Sequence, residues 1–162
     1  MNKKTLFLTQ GAMIAALYVV LTVFVAAFNL ASGAVQVRIS EALTIMPVFT
    51  PAAIPGLFLG CLISNIIAGG AIIDILFGSL TTLVAAVCTY FLRKTKVLYM
   101  VPPVLFNAIV IPFVLMFAYG SDDAYWFMFA TVGAGELISV FIFGFILKKA
   151  IDPIKNKLMF AE

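Results

Sequence analysis

The spacing of the charges constrains this chain most. No charged residue occurs between Lys4 and Arg38, between Glu41 and Asp74, between Asp74 and Arg93, or between Lys96 and Asp122. A helix rising about 1.5 Å per residue needs roughly 20 apolar residues to cross a hydrocarbon core of about 30 Å. Each gap is long enough for one crossing or nearly so, and the gap from Glu41 to Asp74 is too long for one. The composition agrees, with 64% hydrophobic and 10% charged residues in 162. A soluble domain needs far more charge to cover its surface. The expected fold is therefore an all-α integral membrane protein, a multi-pass protein of the cell membrane with the lipid bilayer as its main partner.

The basic residues supply the topology. They gather at Lys3 and Lys4, at Arg93, Lys94 and Lys96, and at Lys148, Lys149, Lys155 and Lys157. The positive-inside rule places all three groups on the cytoplasmic side, and the loop with Asp122 and Asp123 outside. Four crossings follow, at about 5–31, 71–92, 97–119 and 124–147. Residues 32 and 70 then both lie outside, so the chain between them crosses an even number of times. Its long uncharged run favours two short crossings, about 39–50 and 51–68. Pro47, Pro51 and Pro55 recur at four-residue intervals around the inner turn. Each lacks an N–H and disfavours helix in the residue before it, which suits a tightly turned hairpin; a re-entrant loop is the alternative. The total is six transmembrane helices in a single domain, 1–162, with N and C termini cytoplasmic.

Several function classes are disfavoured. The apolar run from Thr5 to Ala31 exceeds a signal-peptide core of about 7–15 residues, so it reads as the first span. Cys61 and Cys88 show no metal or redox spacing, and histidine is absent. A metal or haem site is not expected, nor is any other cofactor. The net charge of +3 arises from helix ends, so it describes topology and not nucleic-acid binding. No phosphate-binding G-x-x-x-x-G-K-[ST] loop, H-E-x-x-H or G-x-S-x-G motif occurs. Recognition fits the remaining polar residues better than catalysis.

Those polar residues are few. An acid at a helix centre costs roughly 2.5–3.5 kcal/mol on the insertion scale, so each is a candidate for function. Glu136 falls in the middle of the last span and Asn107 near the middle of the one before it. Asn65 and Asp74 fall near the outer ends of the third and fourth spans, with Arg38 and Glu41 just before the proline hairpin. The functional reading is an outward-open pocket with Asn107 and Glu136 as floor, Asn65 and Asp74 as wall and residues 32–41 as lid. The alternative is structural. Asn107 and Glu136 would then hold helices together, Asp74 would serve a helix N-terminus, and Arg38 with Glu41 would form an interfacial ion pair.

Small residues give a second signal. Gly11, Ala12, Ala15 and Ala16 form overlapping pairs four apart on the first span, which allow another helix to approach closely. The same spacing serves internal packing or a partner. Tyr125 and Trp126 fit an aromatic belt at the outer boundary of the last span.

At residues 34–55, AVQVRISEALTIMPVFTPAAIP, and at 72–86, IIDILFGSLTTLVAA, the chain resembles the QueT family. That resemblance extends over almost the whole sequence. It implies a substrate-binding S component of an energy-coupling factor (ECF) transporter, with a six-helix bundle and an outside-facing pocket. The implied substrate is a queuosine precursor, a deazaguanine base. The implied partners are an ECF transmembrane coupling subunit and two ATPase subunits. Ala12 and Ala16 match the A-x-x-x-A face that such proteins turn toward the coupling subunit. A carboxylate accepts two adjacent donors of a guanine-like edge, and an asparagine amide supplies a donor and an acceptor, which suits Glu136 and Asn107. A second acid, Asp74 or Glu41, would pair with an aminomethyl cation if the base carries one. An S component for another vitamin and a stand-alone proton-coupled transporter using Glu136 are the alternatives.

Overall fold

A computed structural model describes residues 2–27 and 37–154, the side chain of residue 154 excepted. The expected end of the first span, most of the expected lid, Lys155 and Lys157 lie outside the described residues. The regular structure among the described residues is helical: α1 (Lys3–Ala27), a 3-10 helix (Ile39–Val48), α2 (Ala53–Ile67), α3 (Ile72–Phe91), a 3-10 turn (Leu98–Met100), α4 (Val101–Tyr119), α5 (Tyr125–Leu137), a π-helical turn (Ile138–Phe143), α6 (Gly144–Ile151) and a closing 3-10 turn (Asp152–Ile154).

Four stretches are long and apolar enough to cross a membrane: Lys3–Ala27, Ile72–Phe91, Leu98–Tyr119 and Tyr125–Ile151. They expose apolar side chains over much of their length, among them Leu8, Val20, Phe24, Phe117, Phe145 and Ile146. Such side chains are stable outward only where hydrocarbon surrounds them. The two remaining apolar helices are shorter. A 3-10 helix of ten residues spans about 20 Å and an α-helix of fifteen about 22 Å, both short of a bilayer core.

Proline accounts for much of this. Pro47 lies inside the 3-10 helix, and Pro55 lies in the first turn of α2, where its missing N–H has no intrahelical partner to lose. Pro102 and Pro103 open α4 in the same way. Gly120, at φ +63°, closes α4 in the left-handed conformation that favours glycine. Arg93 follows the end of α3, where its guanidinium donates to the Tyr90 carbonyl at 3.0 Å and stacks 3.9 Å from the Tyr90 ring. A cation there also suits the helix dipole.

Side-chain contacts give each helix its direction. The Thr50 hydroxyl donates to Gln10 at 2.8 Å, Tyr18 donates to Glu41, and Arg38 lies near Val25 and Ala26, so the 3-10 helix runs antiparallel to α1. The α2 helix returns parallel to α1, with Gly56 against Gly11 and Gly60 against Ala15 and Tyr18. A Cβ on Gly56 would stand 2.7 Å from the Gly11 carbonyl oxygen, so glycine is what lets these backbones meet. Next, α3 starts beside Tyr119 and ends where Thr89 donates to the Tyr99 carbonyl at 3.0 Å. Then α4 runs back along α3. Tyr125 donates to the Ile109 carbonyl at 3.0 Å as α5 turns down, and Ile151 finally shares a groove with Gln10. Direction alternates at each connection, and both ends of the described helices lie at one end of the bundle.

Candidate functional site

At the opposite end, the bundle opens into a cleft of about 690 Å³, including the part that continues into solvent. Thr22, Arg38, Ser40, Asn65, Asp74 and Tyr119 provide its polar lining. Three of the residues expected from the sequence, Arg38, Asn65 and Asp74, thus meet here from three separate segments. Asp74 sits in the first turn of α3. Tyr119 donates to its Oδ2 at 2.7 Å while accepting from the Ala71 N–H at 3.2 Å. Gly78, one turn along, leaves the space that Asn65 and Asp74 share. A Cβ there would lie 3.3 Å from both Asn65 Nδ2 and Asp74 Oδ1.

Two acids lie in the interior, where the expected pocket floor would be. Glu41 is 2% exposed and Glu136 5%. Tyr18 donates a hydrogen bond to Glu41 Oε1. Glu41 Oε2, Glu136 Oε2 and the hydroxyl of Ser40 are buried without a hydrogen-bond partner among the described residues. Asn107, 4% exposed, lies beside the Glu136 carboxyl. The Arg38 guanidinium is an electrostatic neighbour of Tyr18, Glu41, Asp74 and Glu136 together. Arg38 and Glu41 do not form the direct ion pair that the sequence allowed. The one ion pair among the described residues joins Lys148 and Asp152 at 2.8 Å, at the other end of the bundle.

The geometry departs from the expected pocket in one respect. Glu136 and Asn107 do not line the open cleft; they lie apart from its lining, with Arg38 standing among the acids of both layers. Leaving a buried polar atom unpaired costs about 1–3 kcal/mol, more for a charged group. Unpaired atoms of this kind, two of them on acids near the Arg38 guanidinium, lower their energy by accepting donors from elsewhere. No group of three or more potential metal-ligating side chains occurs among the described residues.

Sequence reasoning passed over Tyr18, Ser40 and Tyr119. Tyr18 belongs to the inward stripe of α1, with Gly11, Ile14, Ala15 and Val25, and its position seven residues after Gly11 was a readable signal. Ser40 directly precedes Glu41, and Tyr119 directly precedes the glycine that ends α4. The π-helical turn begins two residues after Glu136, and Ser139 and Val140 within it are fully buried. Such turns inside α-helices are frequent at functional sites. On α1, Gly11 and Ala15 face α2, whereas Ala12 and Ala16 are exposed on the outer side.

No solved structure matches the chain. Among characterised proteins, the "Queuosine precursor transporter QueT" of Lactococcus lactis subsp. cremoris (strain MG1363) is 27% identical over 160 residues, covering 91% of this chain and 94% of that protein. The sequence model of the QueT transporter family matches residues 8–153, which include most of α1, all of α2 to α6 and every polar residue of the site. The chain therefore belongs to the QueT transporter family, a family of membrane transporters and not of enzymes.

Proposed function

We propose that the chain is the substrate-binding membrane subunit of an ECF-type uptake transporter for a queuosine precursor, a deazaguanine base. The observation that carries this reading is the set of buried acids, Glu41 and Glu136, each with an oxygen that has no hydrogen-bond partner among the described residues. A guanine-like ring presents adjacent N–H and NH₂ donors, which one carboxylate accepts side by side. Glu136 takes that edge and Asn107 supplies a further donor and acceptor. Arg38, Asn65 and Asp74 receive the base in the cleft. The name of the Lactococcus relative agrees with this substrate class.

The coupled mechanism rests on further features. The sequence has no phosphate-binding loop of its own, so ATP that drives uptake is hydrolysed by partner ATPases acting through a membrane coupling subunit. Ala12 and Ala16 lie exposed one turn apart on α1, between exposed Leu8 and Val20, and give that subunit a flat face for close helix approach. Six passes with both termini cytoplasmic are supported by the alternation of helix direction and by the lysines at the shared end. Bilayer thinning or flanking loops make up the shortfall of the two short helices.

Uptake of radiolabelled precursor by cells making this protein, with and without a coupling module, tests the reading. Uptake only with the module is expected, and equal uptake without it refutes coupling. Glu136 also suits a proton carrier in a stand-alone transporter, which would instead accumulate substrate in liposomes holding only this protein under a pH gradient. A ligand panel separates a deazaguanine from another vitamin.

A further inference from the structure

At the end of the bundle away from the cleft, α1, the 3-10 helix and α6 do not close on one another. They leave a groove of about 740 Å³, including the part open to its surroundings, walled by Ile14, Leu17, Leu43, Met46, Phe49 and Leu147. Its polar lining residues are Gln10 and Thr50, joined by the 2.8 Å hydrogen bond that the Thr50 hydroxyl donates. Both also line a second recess of about 840 Å³, whose other walls are Lys3, Lys4, Phe7, Leu8 and Pro51. Because they share two residues, the two hollows form one channel. It is basic at its mouth, polar at its waist and apolar along its length.

Length and charge indicate what fills it. From Lys4 to Leu17 the α1 axis rises about 20 Å at 1.5 Å per residue. Half a bilayer with its headgroups measures roughly 20–22 Å, so the lysines stand at headgroup level when Leu17 stands near the midplane. The one ion pair among the described residues joins Lys148 and Asp152, and neither Lys3 nor Lys4 pairs with an acid there. Two such cations beside an apolar trough suit a molecule with an anionic head and a long apolar tail. A second copy related by a two-fold axis along the membrane normal would set its own Lys3 and Lys4 at the same depth, where like charges repel.

We propose that this channel holds one anionic phospholipid, with its phosphate at Lys3 and Lys4, its ester region at Gln10 and Thr50, and one acyl chain along Ile14, Leu17 and Met46. On the topology above, the lysine-rich end lies in the cytoplasmic leaflet, the leaflet whose surface anionic lipids make negative. The bound chain braces the 3-10 helix, which carries Arg38, Ser40 and Glu41, against α1 and α6. Gln10, Ile14 and Leu17 lie on the other side of α1 from Ala12 and Ala16, so the lipid leaves that exposed face uncovered. This inference rests on the membrane topology and not on the identity of the substrate.

Native mass spectrometry of the detergent-purified full chain tests it, with titrations of phosphatidylglycerol and of phosphatidylcholine bearing the same acyl chains. One phosphatidylglycerol should bind about 30-fold more tightly than phosphatidylcholine, the range of two lysines acting on one negative headgroup. The double variant Lys3→Gln, Lys4→Gln should cut that preference below about threefold. Met13→Trp, at the rim of the groove, should weaken both lipids, whereas Phe117→Trp on α4 should change neither. All four side chains are exposed, so the variants should fold. Equal affinity for the two lipids overturns the inference, as does a preference that survives the double lysine variant. Equal weakening by Met13→Trp and Phe117→Trp also overturns it, because that marks a non-specific lipid shell. A dimer that Met13→Trp dissolves would give the groove to a second copy instead. Precursor affinity of the wild type is a separate readout, so failure of the transporter reading leaves the lipid result standing.

Discussion

Substituting Gly56 by alanine should drive α1 and α2 apart. The added Cβ would stand 2.7 Å from the Gly11 carbonyl oxygen and 3.2 Å from both Gly11 Cα and Ile14 Cβ. Comfortable heavy-atom separations run roughly 3.5–4.0 Å, so the interface must open by at least about 0.8 Å. No flexible side chain stands at the nearest contact, because both partners there are backbone. Overpacking of this kind costs about 1–3 kcal/mol. Alanine also gains about 0.5–1 kcal/mol over glycine within a helix, which confuses a lone measurement. Gly133→Ala isolates that gain, since its Cβ meets the Ala108 Cβ at an ordinary 3.5 Å. The difference between the variants is then the clash alone. At about 2–4 °C per kcal/mol for a chain of this size, Gly56→Ala should melt several degrees below Gly133→Ala in detergent. Its Tyr18 hydroxyl should also shift from Glu41 and weaken ligand binding. Gly56→Ala melting at or above Gly133→Ala would refute the close approach of α1 and α2.

Other substitutions probe single contacts. Tyr18→Phe leaves both oxygens of Glu41 unpaired and should lower stability by about 1–3 kcal/mol, read by thermal unfolding. Tyr119→Phe removes the bridge between Asp74 and the Ala71 N–H, and should speed ligand exchange in stopped-flow binding at a stability cost of about 1 kcal/mol. Replacing Ala12 and Ala16 together by leucine should leave melting and ligand affinity unchanged, since both are exposed, yet abolish uptake with the coupling module. Cys61, 3% exposed, should resist maleimide in the folded protein far longer than the half-buried Cys88.

Charge spacing made the helical membrane class legible, because a buried charge is too costly to scatter at random. Beyond Asp74 in its first turn, the helix Ile72–Phe91 occupies the uncharged gap before Arg93, and Leu98–Tyr119 occupies the one after Lys96. The same logic is silent on helix type. Nothing in the apolar run of Ile39–Val48 distinguishes ten residues of 3-10 helix from an α-helix, although Pro47 marked it as unusual. The π-helical turn after Glu136 left no mark either, since it depends on packing of Ser139 and Val140 against other segments.

The polar residues of the site were legible as exceptions to hydrophobicity. Arg38, Glu41, Asn65, Asp74, Asn107 and Glu136 all stood out by residue type alone. Their grouping was not, because it requires the 3-10 helix to lie against α1 and place Arg38 among three acids. Tyr18 was hidden because a tyrosine in an apolar helix resembles its neighbours until its hydroxyl finds a partner. The small residues of α1 show the limit of spacing. Gly11 with Ala15 and Ala12 with Ala16 have the same interval, yet one pair faces α2 and the other faces outward.

The most direct test of the account is calorimetric titration of the purified chain with an aminomethyl deazaguanine, alongside the Glu41→Gln, Glu136→Gln double variant. The account predicts saturable one-to-one binding by the wild type and none by a folded double variant. Binding that survives loss of both buried acids would contradict it.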